Sequence, residues 1–420
     1  MKMVIRIIVC AALAVIGVQI TSAAINIPSD GSDGALVITH NTVIDLSQAV
    51  TGNWNDNNGA NAGLGIYDSN KWAVVFKYSS ITIDSGATVT FKNHPSRAPV
   101  VWLVQGDAEI NGTVNLSGED GKLSPWLAEP GPGGFRSGMR WYHDSVRGSA
   151  GFGPGGGATT VGPNNYGGAG SYGALGGYGT ITYGNPSLIP LIGGSGGAGY
   201  SFAESISGGP GAGGGAILIA VGQDLTISGS IVAKGGNAER YSSGGSGGGI
   251  RLVADSLAGA GSVKTMGGTC NNGYNGGLGR IRIERVSYDG TLDITPDPSV
   301  VNLGDGATPL IWVPANGPSV RVLSIGGNPS PADPRAEFGA IGADVVLPLV
   351  TNTTVVLETT NVEQAALVKV RATPRANGNF TTATASVTEV VSEDPLVLRW
   401  TATVPVNTGY SAIQVQVVRP

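Results

Sequence analysis

The stretches Gly211-Ala-Gly-Gly-Gly-Ala-Ile-Leu-Ile219, Gly245-Ser-Gly-Gly-Gly-Ile-Arg-Leu252 and Gly276-Gly-Leu-Gly-Arg-Ile-Arg-Ile283 are three versions of one phrase. In each, a glycine cluster leads into a short apolar run, and the runs open at Ile217, Ile250 and Ile281, 33 and 31 residues apart. A fixed period in that range marks a stacked repeat. A second, alternating run follows, as in Leu225-Thr-Ile227-Ser-Gly229-Ser-Ile231-Val-Ala233 and Leu257-Ala-Gly-Ala-Gly261-Ser-Val263. Period-two alternation turns one face of a strand inward, so each unit reads as two strands joined by glycine turns. One unit cannot bury its apolar face alone, whereas a stack buries a column of Ile, Leu and Val. The phrase therefore predicts an all-β chain built on a glycine-rich parallel β-helix, a solenoid.

The same half-unit occurs earlier. Ile110-Asn-Gly112-Thr-Val114-Asn-Leu116-Ser-Gly118 matches Ile227-Ser-Gly229-Ser-Ile231-Val-Ala233-Lys-Gly235 position for position, and Ile83 to Phe91 is a looser copy. These matches place the β-helix at 81–295, with a glycine-rich insertion at 119–215. The insertion carries Trp126, Phe135, Trp141, Tyr142, Tyr166, Tyr172, Tyr178, Tyr183 and Tyr200, unlike a flexible Gly/Ser linker. Extended polyproline-II-like chains without side chains can lie close together, and the rings then fill the gaps, so the insertion reads as a packed layer. Residues 24–80, with Leu36-Val-Ile38, Thr42-Val-Ile44 and Trp72-Ala-Val-Val-Phe76 between turn clusters, read as an N-terminal cap. Prolines at 296, 298, 309, 314 and 318 read as a linker over 296–318. Short alternating runs between turn residues over 319–420 predict an immunoglobulin-like β-sandwich with no cysteine pair and with Trp400 in its core.

Glycine supplies 69 of the 420 residues, roughly twice its usual share, and only 13% of residues are charged against about 25% in an ordinary domain. The net charge of −5 offers no basic field for nucleic acid or anionic lipid. Residues 1–23 read as an export signal: Lys2 and Arg6, an apolar run from Ile7 to Ile20, and Thr21-Ser22-Ala23 as the cleavage site. The apolar run is shorter than the ~20 residues of a membrane span, so no stable membrane insertion is expected after cleavage. Cleavage leaves Cys270 without an internal partner and best read as a sheltered residue in a glycine turn.

Motifs for chemistry are sparse. Gly193-Gly-Ser195-Gly-Gly197 and Gly244-Gly-Ser246-Gly-Gly248 satisfy a serine-hydrolase elbow in form, but any glycine tract holding a serine does, and the strand, turn and helix context is missing. His40, His94 and His143 have no metal-ligand spacing. Asn53-Trp-Asn-Asp-Asn-Asn58 has oxygens enough for calcium but no spaced acidic pattern, so it reads as a turn cluster. Phe135, Arg136, Arg140, Trp141 and Tyr142 form the segment best suited to a ligand: rings and guanidinium planes stack on sugars and meet the carboxylates of an acidic polymer. The same arginines, with Arg147, could instead pair with Glu119, Asp120, Glu129 or Asp144 to pin a loop. No cofactor is implied by either reading.

Several non-glycine phrases resemble those of secreted, glycine-rich bacterial proteins of uncharacterised function. They are Asp30 to Gly34, Lys71 to Ser80, Thr90 to Leu103, Gly133 to Phe135, Ser149 to Gly157, Tyr183 to Gly197 and Gly247 to Leu252, within 24–290. The resemblance implies export and a β-solenoid-like body, and brings no active site. Taken together, the sequence leads to an exported, non-enzymatic structural or adhesive protein of the cell surface or extracellular matrix, with extracellular polysaccharide or cell-surface components as partners. A carbohydrate-binding module is the second reading. A β-helical polysaccharide lyase or hydrolase is the third, and it would need carboxylates clustered on adjacent coils, whereas Asp84, Asp107, Glu109, Asp224 and Asp255 are scattered.

Overall fold

The computed structural model describes residues 24–418 apart from 57–60, 123–126, 141–146, 163–164, 180, 201–207 and 336–341. The export-signal reading at 1–23 therefore lies outside the described residues. The described chain is all-β. Its one helical element is a 3-10 turn at Leu46–Gln48, and no helix among the described residues is long and apolar enough to cross a membrane.

The first strands are β1 (Ala35–Ile38), β2 (Thr42–Asp45), β3 (Val50–Thr51), β4 (Ile66–Asp68), β5 (Ala73–Tyr78), β6 (Ser80–Ile83), β7 (Thr88–Lys92), β8 (Val100–Val104), β9 (Ala108–Ile110) and β10 (Thr113–Asn115). After the glycine-rich stretch come β11 (Ala216–Ile227), β12 (Ser230–Val232), β13 (Gly249–Gly259), β14 (Ser262–Lys264), β15 (Arg280–Gly290), β16 (Asp293–Thr295) and β17 (Ser299–Asn302). These build two sheets. One runs β1-β6-β9-β11-β8-β5-β4-β3 and continues from β11 through β13, β15 and β17; the other runs β16-β14-β12-β10-β7-β2. Every pairing in them is parallel except β4 with β5.

The repeated phrase sets the register. Ile217 lies opposite Ile250, and Ile250 opposite Ile281; Ile231 lies opposite Val263 and Val114. Side chains alternate between the faces of a strand, so Ile217, Ile219, Ile250, Leu252, Ile281 and Ile283 join Ile231, Val263 and Val114 in one core between the sheets. Leu218, Ala220, Val101, Leu103 and Val253 point the other way, into a second core closed by Ile25, Ile27 and Ile311. Burial on both faces explains why Ala-Ile-Leu-Ile-Ala-Val is apolar without interruption.

Two boundaries differ from expectation. Parallel pairing begins before 81: β1, β2 and β5, within the stretch read as a cap, pair in parallel with β6, β7 and β8. The 296–318 stretch is not simply a linker. Val300 and Val301 sit in β17, paired to β15, and Ile311 is in the second core with Trp312 against Trp54. Across the glycine-rich stretch, β8 and β9, before it, pair directly with β11, after it.

Described residues of the insertion, together with the glycine tracts of the later repeats, form an ordered, hydrogen-bonded layer. Its logic is clearest at 243–248. The amides of Ser243 and Ser246 donate to Ala198 and Ser195 (3.2 and 2.9 Å), those of Gly244 and Gly247 to Tyr274 and Gly277 (2.9 and 2.9 Å), and those of Gly245 and Gly248 to Gly236 and Ala233 (3.1 and 2.8 Å). Bond direction thus recurs every third residue, the period of a polyproline-II helix, which makes no internal hydrogen bonds and so has its amides free for neighbours. Segments 194–197 and 211–214 add the same pattern. Neighbouring chains come so close that a Cβ on Gly245 would run into the carbonyl oxygen of Ala212, and one on Gly276 into that of Gly245. Tyr172 and Tyr183 fill the gaps, their rings 4.7 Å apart and their hydroxyls donating to Ile192 and Gly193 carbonyls (2.8 and 2.6 Å).

The C-terminal strands are β18 (Ser319–Ile325), β19 (Asn328–Pro329), β20 (Asn352–Thr360), β21 (Leu367–Pro374), β22 (Thr381–Thr384), β23 (Ser386–Glu393), β24 (Leu396–Pro405) and β25 (Ser411–Val418). They form an antiparallel sheet β19-β18-β20-β24-β23 and another, β22-β21-β25. The two share a core of Val355, Leu357, Val368, Val370, Leu398, Trp400 and Val404. Trp400 is buried as expected and donates through Nε1 to Thr359 Oγ1 at 2.8 Å.

This unit is docked on the glycine layer. Gly378 donates to Gly148, and Ala150 to Gly378 (3.2 and 3.1 Å), while Ser149 Oγ donates to Arg375 O at 2.9 Å. At the centre sits Arg371, buried, with Nη2 donating to Gly151 O and Gly156 O (2.9 and 3.1 Å) and Nη1 to Pro154 O (3.2 Å). The Phe380 ring lies 3.6 Å from the guanidinium carbon. Burial pushes this guanidinium down to about 9, which leaves it charged at neutral pH.

Candidate functional site

A cleft of about 580 Å³ opens where the C-terminal unit meets the body. The body contributes Trp72, Ser96, Arg97, Phe135, Arg136 and Phe152; facing them are Val322 and Ile325 of β18, residues 343–345 and 347–350, Tyr410, and Ser411 to Gln414 at the start of β25. Tight turns bring the body residues to this rim. Trp72 and Arg97 both have left-handed backbone (φ 46° and 56°), and Trp72 Nε1 donates to Ser96 O at 3.1 Å.

Glu129 organises the floor. Its carboxylate accepts from Arg136 Nε at 2.6 Å and from Arg97 Nε at 3.2 Å. Arg136 is buried, and Phe135 half-buried beside Gly153. The loop-pinning alternative is thus realised for Arg136, with Glu129 as the acid, although the residue still lines the cleft. On the opposite wall three polar atoms are shielded from solvent without a hydrogen-bond partner among the described residues: Thr353 Oγ1, Ser411 Oγ and Gln414 Oε1. Buried polar atoms ordinarily find partners, so each such exception calls for an explanation.

Beside the cleft, Tyr67 Oη donates to Asp333 Oδ1 at 2.6 Å, and the Tyr67 and His94 rings stack at 4.0 Å. Burial, then the nearby Arg335 charge, lowers the His94 pKa. The folded state therefore binds this proton less readily than the unfolded chain, and its stability falls as pH drops below the ordinary value of about 6.5 towards the lowered one. Urea unfolding midpoints are expected to decrease between about pH 7 and about pH 5, and less steeply in His94→Phe; equal slopes in the two proteins would rule His94 out.

Of the residues singled out from sequence, Phe135 and Arg136 reach the cleft. Arg140 is half-buried and not among its lining residues, and Trp141 and Tyr142 lie outside the described residues. Ser195 and Ser246 are fully buried. Ser195 Oγ donates to Tyr183 Oη at 2.9 Å and accepts from Gly155 N at 3.1 Å, while Ser246 Oγ receives the Ser195 amide at 2.8 Å. These hydroxyls tie glycine chains together. Tyr166, Tyr178, Tyr200, Tyr241 and Tyr274 cluster elsewhere on the layer, with rings inclined 32° to 68° to one another, so no flat platform results.

Asp107, just before β9, approaches Asp224 of β11, but Asp107 Oδ1 accepts the Asp224 amide at 3.1 Å, a turn contact. No group of three or more His, Cys, Asp or Glu that could hold a metal ion occurs among the described residues. Cys270 is half-buried, its Sγ 3.4 Å from Glu239 O, and burial raises its pKa, away from a reactive thiolate. Among the described residues three buried cations escaped sequence reading: Arg371; Lys77, paired with Asp30 at 3.2 Å; and Arg251, which pairs with Glu284 at 2.9 Å and donates to Leu310 O at 2.7 Å. Only the Ile-Arg-Leu and Ile-Arg-Ile phrases hinted at Arg251, by setting a charge inside an apolar run. No family model, curated protein or solved structure matches this chain.

Proposed function

We propose that this is an exported structural or adhesive protein of the cell surface or extracellular matrix, without enzymatic activity. In this reading residues 35–302 are a two-sheet parallel β-solenoid, stiffened by the glycine layer, and residues 319–418 an immunoglobulin-like sandwich serving as a contact module. The observation that carries it is the in-register stacking of Ile217, Ile250 and Ile281 beside a layer in which even the serine hydroxyls of the glycine tracts bridge neighbouring chains. Such a body has internal contacts in abundance and suits a rigid spacer. The likeness of its non-glycine phrases to secreted glycine-rich bacterial proteins supports the location. Antibody labelling of intact and broken cells tests it: labelling of intact cells, and weaker surface attachment when the chain is absent, are expected. Labelling confined to broken cells would sink it.

The cleft favours a second reading, saccharide binding, because Trp72, Phe135 and Tyr410 bring rings to the same cavity as the polar side chains of Arg136 and Asn407. Rings cover the apolar faces of sugars and polar side chains take the hydroxyls. On a glycan array, Trp72→Ala and Phe135→Ala should each weaken any bound glycan by about tenfold, the loss of one good ring contact. A signal unchanged in both variants would move the site elsewhere, with Trp141→Ala and Tyr142→Ala as the next pair.

A further inference from the structure

The three-stranded C-terminal sheet ends in an open edge. β25 pairs with β21 in unbroken register, from Leu367 opposite Val418 to Pro374 opposite Ser411, and its other side meets no strand among the described residues. An unpaired edge is a template for another strand, and proteins ordinarily blunt it with charges, bulges, proline or brevity. The other C-terminal edges are blunted in this way. β23 has two register shifts and carries Glu389 and Glu393, and β22 is four residues long. β25, Ser-Ala-Ile-Gln-Val-Gln-Val-Val, has no charge, no proline and no shift.

We propose that the free edge of β25 pairs antiparallel with the same edge of a second copy of this chain, about a two-fold axis at Val415. The segment Ile413-Gln-Val-Gln-Val417 reads nearly the same in both directions. Antiparallel pairing centred on Val415 sets Ile413 opposite the partner's Val417, Gln414 opposite the partner's Gln416, and Val415 opposite itself. Directly opposed residues point to the same face. Ile413, Val415 and Val417 already pack against the C-terminal core, so the apolar row continues across the axis.

The glutamines form the other row. Gln414 and the partner's Gln416 then lie opposite each other, where their side-chain amides can exchange hydrogen bonds across the axis. No charge opposes itself across the axis, which an isologous contact requires. A foreign strand would satisfy the backbone edge equally well, but the near-palindrome of Ile413 to Val417 fits this chain's own strand. The pairing stands apart from the structural or adhesive reading: a soluble binding protein could use it too.

Sedimentation equilibrium on the full chain over a range of concentrations tests it with two double variants. Gln414→Glu with Gln416→Glu suits the neighbouring Arg371 and Lys369 within each chain, opposite which these positions lie, but sets like charges across the axis. Gln414→Glu with Gln416→Lys sets opposite charges there. The unmodified chain should be a dimer. The first variant should raise the dissociation constant at least about tenfold and the second restore it, with unfolding curves confirming that both fold. A monomer at every concentration, a dimer indifferent to the first variant, or a folded second variant that stays monomeric would each overturn the pairing.

Discussion

Replacing Gly245 by alanine is expected to remove about 3 kcal/mol or more of stability, the upper end of what overpacking a buried site costs. The added methyl meets the carbonyl oxygen of Ala212. That oxygen belongs to main chain hydrogen-bonded on both sides, since Ala212 donates to Glu119 and Gly213 to Phe135 (3.1 and 2.9 Å), so it cannot turn aside as a side chain could. Relief requires pulling two chains apart and giving up the three-way bonding around 243–248. Gly304→Ala is the matched control, because nothing lies within 4 Å of its Cβ position, and it should stay within about 0.5 kcal/mol. Urea unfolding of both variants decides the matter. Equal stability would mean that the layer is loose enough to breathe, and its ordered hydrogen bonding would have to be abandoned.

The second large effect is expected at Arg371. Arg371→Met keeps the length and the apolar contact with Phe380 but removes the donors to Gly151, Pro154 and Gly156. Three carbonyls at the junction then lose their charged donor, and an unmade buried hydrogen bond costs about 1–3 kcal/mol. A loss of roughly 3 kcal/mol is expected after allowing for the relief of burying a charge. Arg371→Lys should recover only part of it, since one ammonium cannot reproduce the planar fork. Hydrogen exchange supplies the discriminating readout: amides at 148–157 and 375–378 should exchange faster while those of β20 and β24 do not. Uniform acceleration would mean that Arg371 supports the C-terminal core and not the junction.

What the sequence made legible was whatever the repeat wrote twice. Ile217, Ile250 and Ile281 announced their own register, because a period of 33 and 31 residues with apolar residues at fixed offsets has one economical burial. The ends of the ladder were harder to read. Leu36-Val-Ile38 and Val300-Val301 are short and stand outside the repeated phrase, so turn clusters and prolines suggested a cap and a linker where strands pair. The cleft was only half legible. Phe135 and Arg136 stood out locally, whereas Trp72, Thr353 and Ser411 reach the same cavity from distant parts of the chain. Arg371 could not be foreseen, because its partners are carbonyl groups, which every residue has.

The three-way bonding at 243–248 has a mechanical consequence. A β-sheet under load can open along one line, bond after bond, because each strand leans on neighbours in a single plane. A chain tied on three sides offers no such tear line: freeing it means breaking bonds in several directions together. Tension entering through the junction at Arg371 would therefore spread sideways through the layer instead of peeling it.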